Sequence, residues 1–272
     1  MKFIDRYVFN ARFLPAAVLL LPGGIAVAAW VPKPGDLVSW GQLLTMVLTT
    51  GGAMLISHLG RGPGKAKEPA LWKEWDGPPT TTMLRHRDGL LDALTKARYH
   101  RKLSLLVPDS PAPSPEQESE NPAHADVVYT SWVSYLLAHT RAQEKFGLLH
   151  ASNIDYGFRR NLWGLKFFGI LLASLGSAAA LGRAVWSAKS AHVIDWIALA
   201  AMIINISLLI VWIRIVSKDW VKITAVSFGV QLLAASDVLK VSPADKKPVE
   251  LKPVKQKPAE QKPKPKPARR SS

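Results

Sequence analysis

Cysteine is absent from the 272-residue sequence, which excludes a disulfide-stapled fold, a thiolate zinc site and thiol chemistry. The seven histidines form neither an HExxH motif nor a closely spaced ligand pair, so no metal site is predicted. The phosphate-loop pattern GxxxxGK[ST] and the nucleophile elbow GxSxG are also missing. The sequence therefore predicts no cofactor and favours a protein that is not an enzyme.

Charge is scarce in four long apolar stretches, at residues 13–31, 37–59, 162–182 and 193–216. The few charged side chains within them, Lys166, Asp195 and Arg214, lie near the ends. At 1.5 Å per residue, each stretch can cross a hydrocarbon core of roughly 30 Å as a helix. We therefore expect an all-α integral membrane protein with four transmembrane helices, rather than a soluble domain with buried core helices.

Short connections pair these stretches into an amino-terminal hairpin (residues 1–59) and a carboxyl-terminal hairpin (residues 161–216). The two connections hold only Lys33, Arg183 and Lys189. The opposite flanks hold thirteen cations: Lys2, Arg6, Arg12, Arg61, Lys65, Lys67, Lys73, Lys145, Arg159, Arg160, Arg214, Lys218 and Lys222. By the positive-inside rule this asymmetry predicts an inner-membrane protein with both termini and the central segment in the cytoplasm.

The amino end has a competing interpretation as a cleaved secretory signal, with Ala26-Val27-Ala28 as the small-residue site. The acidic Asp5, the length of the apolar stretch and the span that follows argue against cleavage. Cleavage would leave the orientation of the other three spans unchanged.

Residues 60–160 form a cytoplasmic insert without a span. Gly62-Pro63-Gly64 marks its start, a turn is expected at 71–79, and helices are expected at 83–106 and 126–150. Five prolines between them predict a flexible loop at 108–122. Trp132, Tyr135, His139 and Phe146 recur at helical spacing, which indicates either an interaction face for another chain or packing within the insert.

Two segments follow the last span. Residues 217–240 are apolar without clear periodicity, and we expect them to pack on the membrane face of the insert. Residues 241–272 carry ten Lys and Arg against three acidic residues, spaced by proline. Such a tail is expected to be disordered, with weak and non-specific affinity for anionic lipid or nucleic acid, or to be a solvated spacer.

Two further groups of residues point to contacts at the third span. The first surrounds its membrane entrance and could anchor it at the interface or couple the insert to the spans: Tyr156, Phe158, Arg159, Arg160, Trp163 and Lys166. The second is the small-residue row Ser174, Ala178 and Gly182, which permits close helix packing. Gly176 and Ala180 offer a neighbouring row.

Three functions compete at this point. The first is a non-enzymatic membrane effector or signalling protein whose insert binds a partner, or a second copy, and acts through the transmembrane bundle. The second is a passive scaffold that recruits cytoplasmic proteins. The third and least supported is an enzyme at the membrane face that uses Arg85, His86, Asp88 or His100.

Overall fold

The computed structural model describes residues 6–30 and 53–240. For residues 53–63 it describes the backbone alone. Residues 37–52 of the predicted second span and the whole predicted tail, 241–272, lie outside the described residues. Within the described residues, the protein consists of helices joined by turns and contains no strand. The predicted all-α class is confirmed there.

Ten helices follow one another along the described chain. Helix α1 starts at Arg6–Val8, passes through a π-helical segment, Phe9–Phe13, and continues as Leu14–Trp30. The next are α2 (Ala53–Glu74), α3 (Pro79–Thr82), α4 (Ala93–Leu106), α5 (Pro115–Glu120), α6 (Pro122–His139) and α7 (Gly147–Gly164). Last come α8 (Lys166–Ser190), α9 (Trp196–Ile210 with a π-helical end, Val211–Ile215) and α10 (Lys218–Ala234 with a 3-10 end, Ala235–Val238).

Four of these helices are long and apolar enough to cross a membrane: α1, α8, α9 and α10. The multi-pass membrane class is therefore supported, but the set differs from the four predicted stretches. The first, third and fourth predicted stretches correspond to α1, α8 and α9, with shifted ends. Most of the second lies outside the described residues, and α10 is an additional candidate.

Helices α1, α8 and α9 pack together as a bundle whose outer surface carries exposed leucine, isoleucine and phenylalanine side chains. At one end of this bundle, Arg183 of α8 pairs with Asp195 at 2.9 Å and lies over the Trp30 ring. At the other end, Lys166 of α8 reaches the carbonyl of Ile213 in α9. Such an apolar outer surface fits a lipid environment.

Helix α10 is packed differently. In the most apolar 18-residue segment of α10, 44% is buried within the protein, compared with 22% to 28% in the corresponding segments of the other three candidates. Val221 and Ala225 lie with Leu71 of α2, while Leu232 and Leu233 belong to the core of the insert. The helix therefore contacts the insert, where residues 217–240 were expected to pack.

Several predicted boundaries within residues 60–160 differ from the structure. Helix α2 continues through Gly62-Pro63-Gly64, and Gly64 lies against Asn161 of α7, where a Cβ would overlap that side chain. The single helix predicted at 83–106 is wrong, since α4 begins only after Asp92, whose carboxylate accepts the Thr95 N–H. The first difference accompanies a tertiary contact, and the second reflects a local N-cap.

Two other segments depart from the sequence interpretation in the same way. The helix predicted at 126–150 breaks after His139, where the Thr140 hydroxyl bonds the Leu136 carbonyl and Phe146 turns into the core. The segment expected to be a loop at 108–122 contains α5. Ser114 and Gln117 cap the N-terminus of this helix with the reciprocal hydrogen bonds of a capping box.

Small residues make the close contacts of the bundle, but not in the expected row. Ser174, Ala178 and Gly182 are exposed, so packing among the described residues does not use them. The buried row of α8 is instead Gly169, Ala173, Gly176 and Ala180. Gly169 lies against the Trp212 ring, and Gly176 lies where Pro22 of α1 and Asn205 of α9 converge.

Replacing Gly169 by alanine should destabilise the pairing of α8 with α9, because the added methyl would overlap the Trp212 ring. The matched control is Gly182→Ala, whose methyl meets open space and gains up to about 1 kcal/mol of helix propensity. Thermal unfolding in detergent should show a lower midpoint for the first variant and no loss for the second. Equal midpoints would contradict the described contact.

Candidate functional site

Helix α7 crosses α1, α2 and α10 at the end of the bundle that faces the insert. Seven polar side chains make the contacts there, and we call them the junction: Lys67, Glu68, Tyr156, Arg159, Arg160, Asn161 and Lys166. Four of them, Tyr156, Arg159, Arg160 and Lys166, belong to the group predicted at the entrance of the third span. The structure brings these four together with Lys67 and Glu68 of α2 and with Asn161.

A buried ion pair lies at the centre of the junction. One oxygen of Glu68 accepts hydrogen bonds from the Arg160 guanidinium at 2.8 Å and from the Tyr156 hydroxyl at 2.5 Å. The side chains of Glu68 and Arg160 are only 10% and 12% exposed. A charge pair this far from water is costly unless both partners stay together, so the triad fixes α7 against α2.

The ionisation of this triad follows from its surroundings. Burial raises the pKa of Tyr156, and the neighbouring Glu68 carboxylate raises it further, so the phenol stays protonated and donates. Burial disfavours the charged form of Arg160, but Glu68 outweighs this effect and the pKa of Arg160 is raised. Arg160 therefore stays charged at any physiological pH.

Junction side chains also bind main-chain carbonyls of the surrounding helices. Each bond falls at or near a helix end or a π-helical segment: Asn161 to Ala11 at 2.6 Å, Lys67 to Gly164 at 3.0 Å, Lys166 to Ile213 at 3.0 Å and Arg159 to Trp220 at 3.0 Å. C-terminal helix ends and irregular turns leave carbonyls without backbone donors, whereas Trp220 lies in the first turn of α10. The junction thus attaches α7 to α1, α2 and α10 and attaches the start of α8 to α9, on both sides of the break between α7 and α8.

The bond from Asn161 has a specific cause in the sequence. Pro15 lacks the N–H that would bond the Ala11 carbonyl four residues earlier in an α-helix. The chain there is π-helical, with the Leu14 N–H bonded to Phe9, and Asn161 supplies a donor to Ala11 from outside. Gly157 lies so close to this segment that a Cβ would come within 3.0 Å of Ala11.

Aromatic rings complete the contacts made by the basic side chains. The Arg159 guanidinium lies 4.7 Å from the centroid of Trp220, and Phe158 packs edge-on against the same ring. The Lys67 ammonium lies 5.8 Å from the centroid of Trp163. Phe158 and Trp163, which were predicted as membrane anchors, thus pack within the chain.

The junction is continuous with the core of the insert. Tyr156 stacks on Phe228 of α10, and the two ring planes are within 12° of parallel. Leu149, at the start of α7, packs in the same cluster as Leu232 and Leu233 of α10. A displacement of the insert core would therefore move α7 and α10, which carry the junction.

The predicted interaction face of the insert lies mainly inside the protein. Trp132 is fully buried and Phe146 is 7% exposed, both in the core with Tyr99 and Leu103 of α4. Only the half-buried Tyr135 and the exposed His139 reach the surface, where their rings stack 3.9 Å apart. Packing within the insert accounts for most of this row.

A second polar cluster holds the turn between α3 and α4. Arg85 makes a two-pronged bond to Asp126 and a third bond to Asp76, and the pKa of Arg85 is raised, chiefly by Asp126. The buried Lys96 ammonium caps the carbonyls of Arg85, His86 and Asp88. Three of the four residues considered for an enzyme are therefore engaged in holding this turn.

The fourth, His100, lies in the same cluster. Its Nε2 bonds the Leu84 carbonyl at 2.7 Å, and the ring lies edge-on to His86, whose own Nε2 bonds the Pro113 carbonyl. Burial lowers the pKa of His100, which keeps the ring neutral. Within the described ranges no group of His, Asp and Glu side chains is arranged to hold a metal ion.

Comparisons with protein family models, with curated proteins and with solved structures yield no match for this chain. Function must therefore be argued from the junction and its surroundings.

Sequence reasoning missed Glu68, Lys67 and Asn161. A carboxylate and a lysine one residue apart in a basic helix suggest only a solvated surface, and an asparagine beside two arginines carries no signal of its own. A signal was present at Pro15, because a proline inside an apolar stretch frees a carbonyl that some donor must satisfy.

Glu68→Gln should destabilise the protein strongly, because the amide leaves the buried Arg160 charge without its counter-ion, at a cost of about 3–5 kcal/mol. Glu74→Gln is the control, since it breaks the exposed pair with Lys218, which is worth about 0–1 kcal/mol. Thermal unfolding of both purified variants measures the difference. Similar midpoints would show that Arg160 does not depend on Glu68.

Proposed function

We propose that this chain is a multi-pass inner-membrane protein, not an enzyme, whose cytoplasmic insert binds a partner or ligand and acts through the transmembrane bundle. The observation that carries the proposal is the junction, in which α7 binds α1, α2 and α10 and Lys166 at the start of α8 binds α9. A passive anchor needs one attachment between a soluble part and its membrane helices. Here one helix, α7, contacts the insert core and the bundle together.

The topology follows the charge asymmetry of the sequence. We place the junction, the insert and both termini in the cytoplasm, and the Arg183–Asp195 end of the bundle on the opposite side. We assign α10 to the insert, because its exposed positions include Lys218, Asp219, Lys222 and Ser227 as well as apolar residues. Such a mixed surface is unfavourable in lipid.

The partners follow from the surfaces. Anionic lipid would bind the basic flanks and the tail, which could also bind nucleic acid weakly and without specificity. The exposed Ser174, Ala178 and Gly182 leave one face of α8 open to a protein partner or a second copy. A passive scaffold is the alternative function, and it would use the same surfaces without any change in the bundle.

The topology can be tested with single cysteines, because the natural chain has none. Ala191→Cys, in the connection between α8 and α9, should react with a membrane-impermeant maleimide in intact cells. Leu94→Cys, which replaces an 84% exposed side chain of α4, should react only after lysis. The reverse pattern would invert the orientation.

The action through the bundle can be tested by overproduction in cells stained with a potential-sensitive dye. The natural protein should depolarise the membrane. Arg159→Gln should do so less at equal expression, because it loses both contacts with Trp220. Arg101→Gln, on the exposed side of α4, should behave as the natural protein. An unchanged potential in all three strains would favour the scaffold.

A further inference from the structure

A cavity of about 310 Å³ lies where the turn after α3 meets α10. Its lining comes from the end of α2, from α3, from the following turn and from α10: Trp75, Asp76, Pro79, Thr82, Arg85, Arg87, Asp88, Leu90, Lys222 and Val226. The volume is at the lower end of the range of small-molecule sites, roughly 300–1,000 Å³. Of these residues, only Arg85 and Asp88 were considered from the sequence as parts of an enzyme site.

One wall of the cavity is fixed by ion pairs. Asp76 bonds Arg85 at 2.6 Å and Arg87 at 3.1 Å, while Asp126, which does not line the cavity, holds Arg85 from another direction. Asp76 and Gly77 have φ values of +61° and +128°, a backbone that non-glycine residues rarely adopt. Asp76, in the turn between α2 and α3, therefore keeps Arg85 and Arg87 on the same wall.

The charge balance of the lining favours an anion. Three cations, Arg85, Arg87 and Lys222, stand against two carboxylates. Asp76 is already shared between two arginines, and Asp88 accepts the Leu90 N–H. Lys222 is exposed and makes no ion pair within the described residues. Arg87, which is 54% exposed, and Lys222 are the cations that a ligand can reach.

The remaining lining is apolar. Trp75, Pro79, Leu90 and Val226 provide indole, ring and aliphatic surface beside the cations. Small-molecule sites typically combine such apolar surface with a few placed polar groups that orient the ligand. We propose that this cavity binds a small organic phosphate with a flat apolar group, its phosphate held between Arg87 and Lys222.

The position of Lys222 gives such binding a consequence. It lies two residues after Trp220, whose carbonyl and ring are held by Arg159 of the junction. A phosphate bridging Arg87 and Lys222 would tie the turn of the insert to α10 beside this contact. This inference rests on the proposed function, because it names the ligand that the insert would bind before it acts through the bundle.

Adenosine monophosphate is a suitable probe, because it pairs one phosphate with a flat base. Isothermal titration of the detergent-purified full chain should show saturable binding that weakens at least tenfold in Arg87→Ala and in Lys222→Ala. Both residues are exposed, so folding should be preserved, which the thermal midpoint checks. Arg101→Ala, an exposed arginine outside the cavity, is the matched control and should bind as the natural chain does.

Adenosine, which lacks the phosphate, should bind at least tenfold more weakly than the monophosphate. The inference is overturned if the monophosphate shows no saturable binding, if adenosine binds equally well, or if Arg101→Ala weakens binding as much as Arg87→Ala. Because binding is measured on purified protein and depolarisation in cells, the two proposals can fail separately. Binding without depolarisation would retain the cavity and discard the action through the bundle.

Discussion

The position of α7 depends on the pairing of Glu68 with Arg160. A guanidinium that is 12% exposed needs a counter-ion close by, and within the described residues only Glu68 pairs with it. This pairing fixes α7 along α2, and the other bonds of the junction follow from that placement. If α7 shifted by one residue, Asn161 and Lys166 would no longer face the carbonyls of Ala11 and Ile213. The ion pair thus sets the register of the bundle against the insert.

In a membrane, the hydrogen bonds from these side chains to main-chain carbonyls are important for stability. A main-chain oxygen left without a donor in or near hydrocarbon costs several kcal/mol, because no water is available to satisfy it. Pro15 and the π-helical segments of α1 and α9 disrupt the regular bonding of their helices, and Asn161 and Lys166 donate to carbonyls there. The irregular turns and the polar side chains therefore require each other, and neither can change alone without cost.

The sequence predicted the helical class, three of the membrane stretches and four of the junction residues, because apolar length and basic flanks are local signals. It did not predict that α2 would run through Gly62-Pro63-Gly64, since glycine and proline are local turn signals and the contact of Gly64 with Asn161 is distant in the chain. The small-residue rows of α8 were both visible in the sequence. Which one faces inward was decided by Trp212 and Asn205, whose bulk fits only against Gly169 and Gly176.

Length and composition alone would count α10 as a membrane span, but its contacts argue for another role. Gly229 lies against Met83, where a Cβ would come within 2.9 Å of the methionine methyl, and Val221 packs beside Leu71 and Trp75. A crossing helix would have to give up these contacts and place Asp219 and Lys222 toward lipid. Packed against the insert, α10 lines the cavity beside Arg87 with its Lys222. It contacts Arg159 of the junction through Trp220. In the proposed assignment of α10 to the insert, its apolar character reflects burial between two parts of the protein, where a change in one would reach the other.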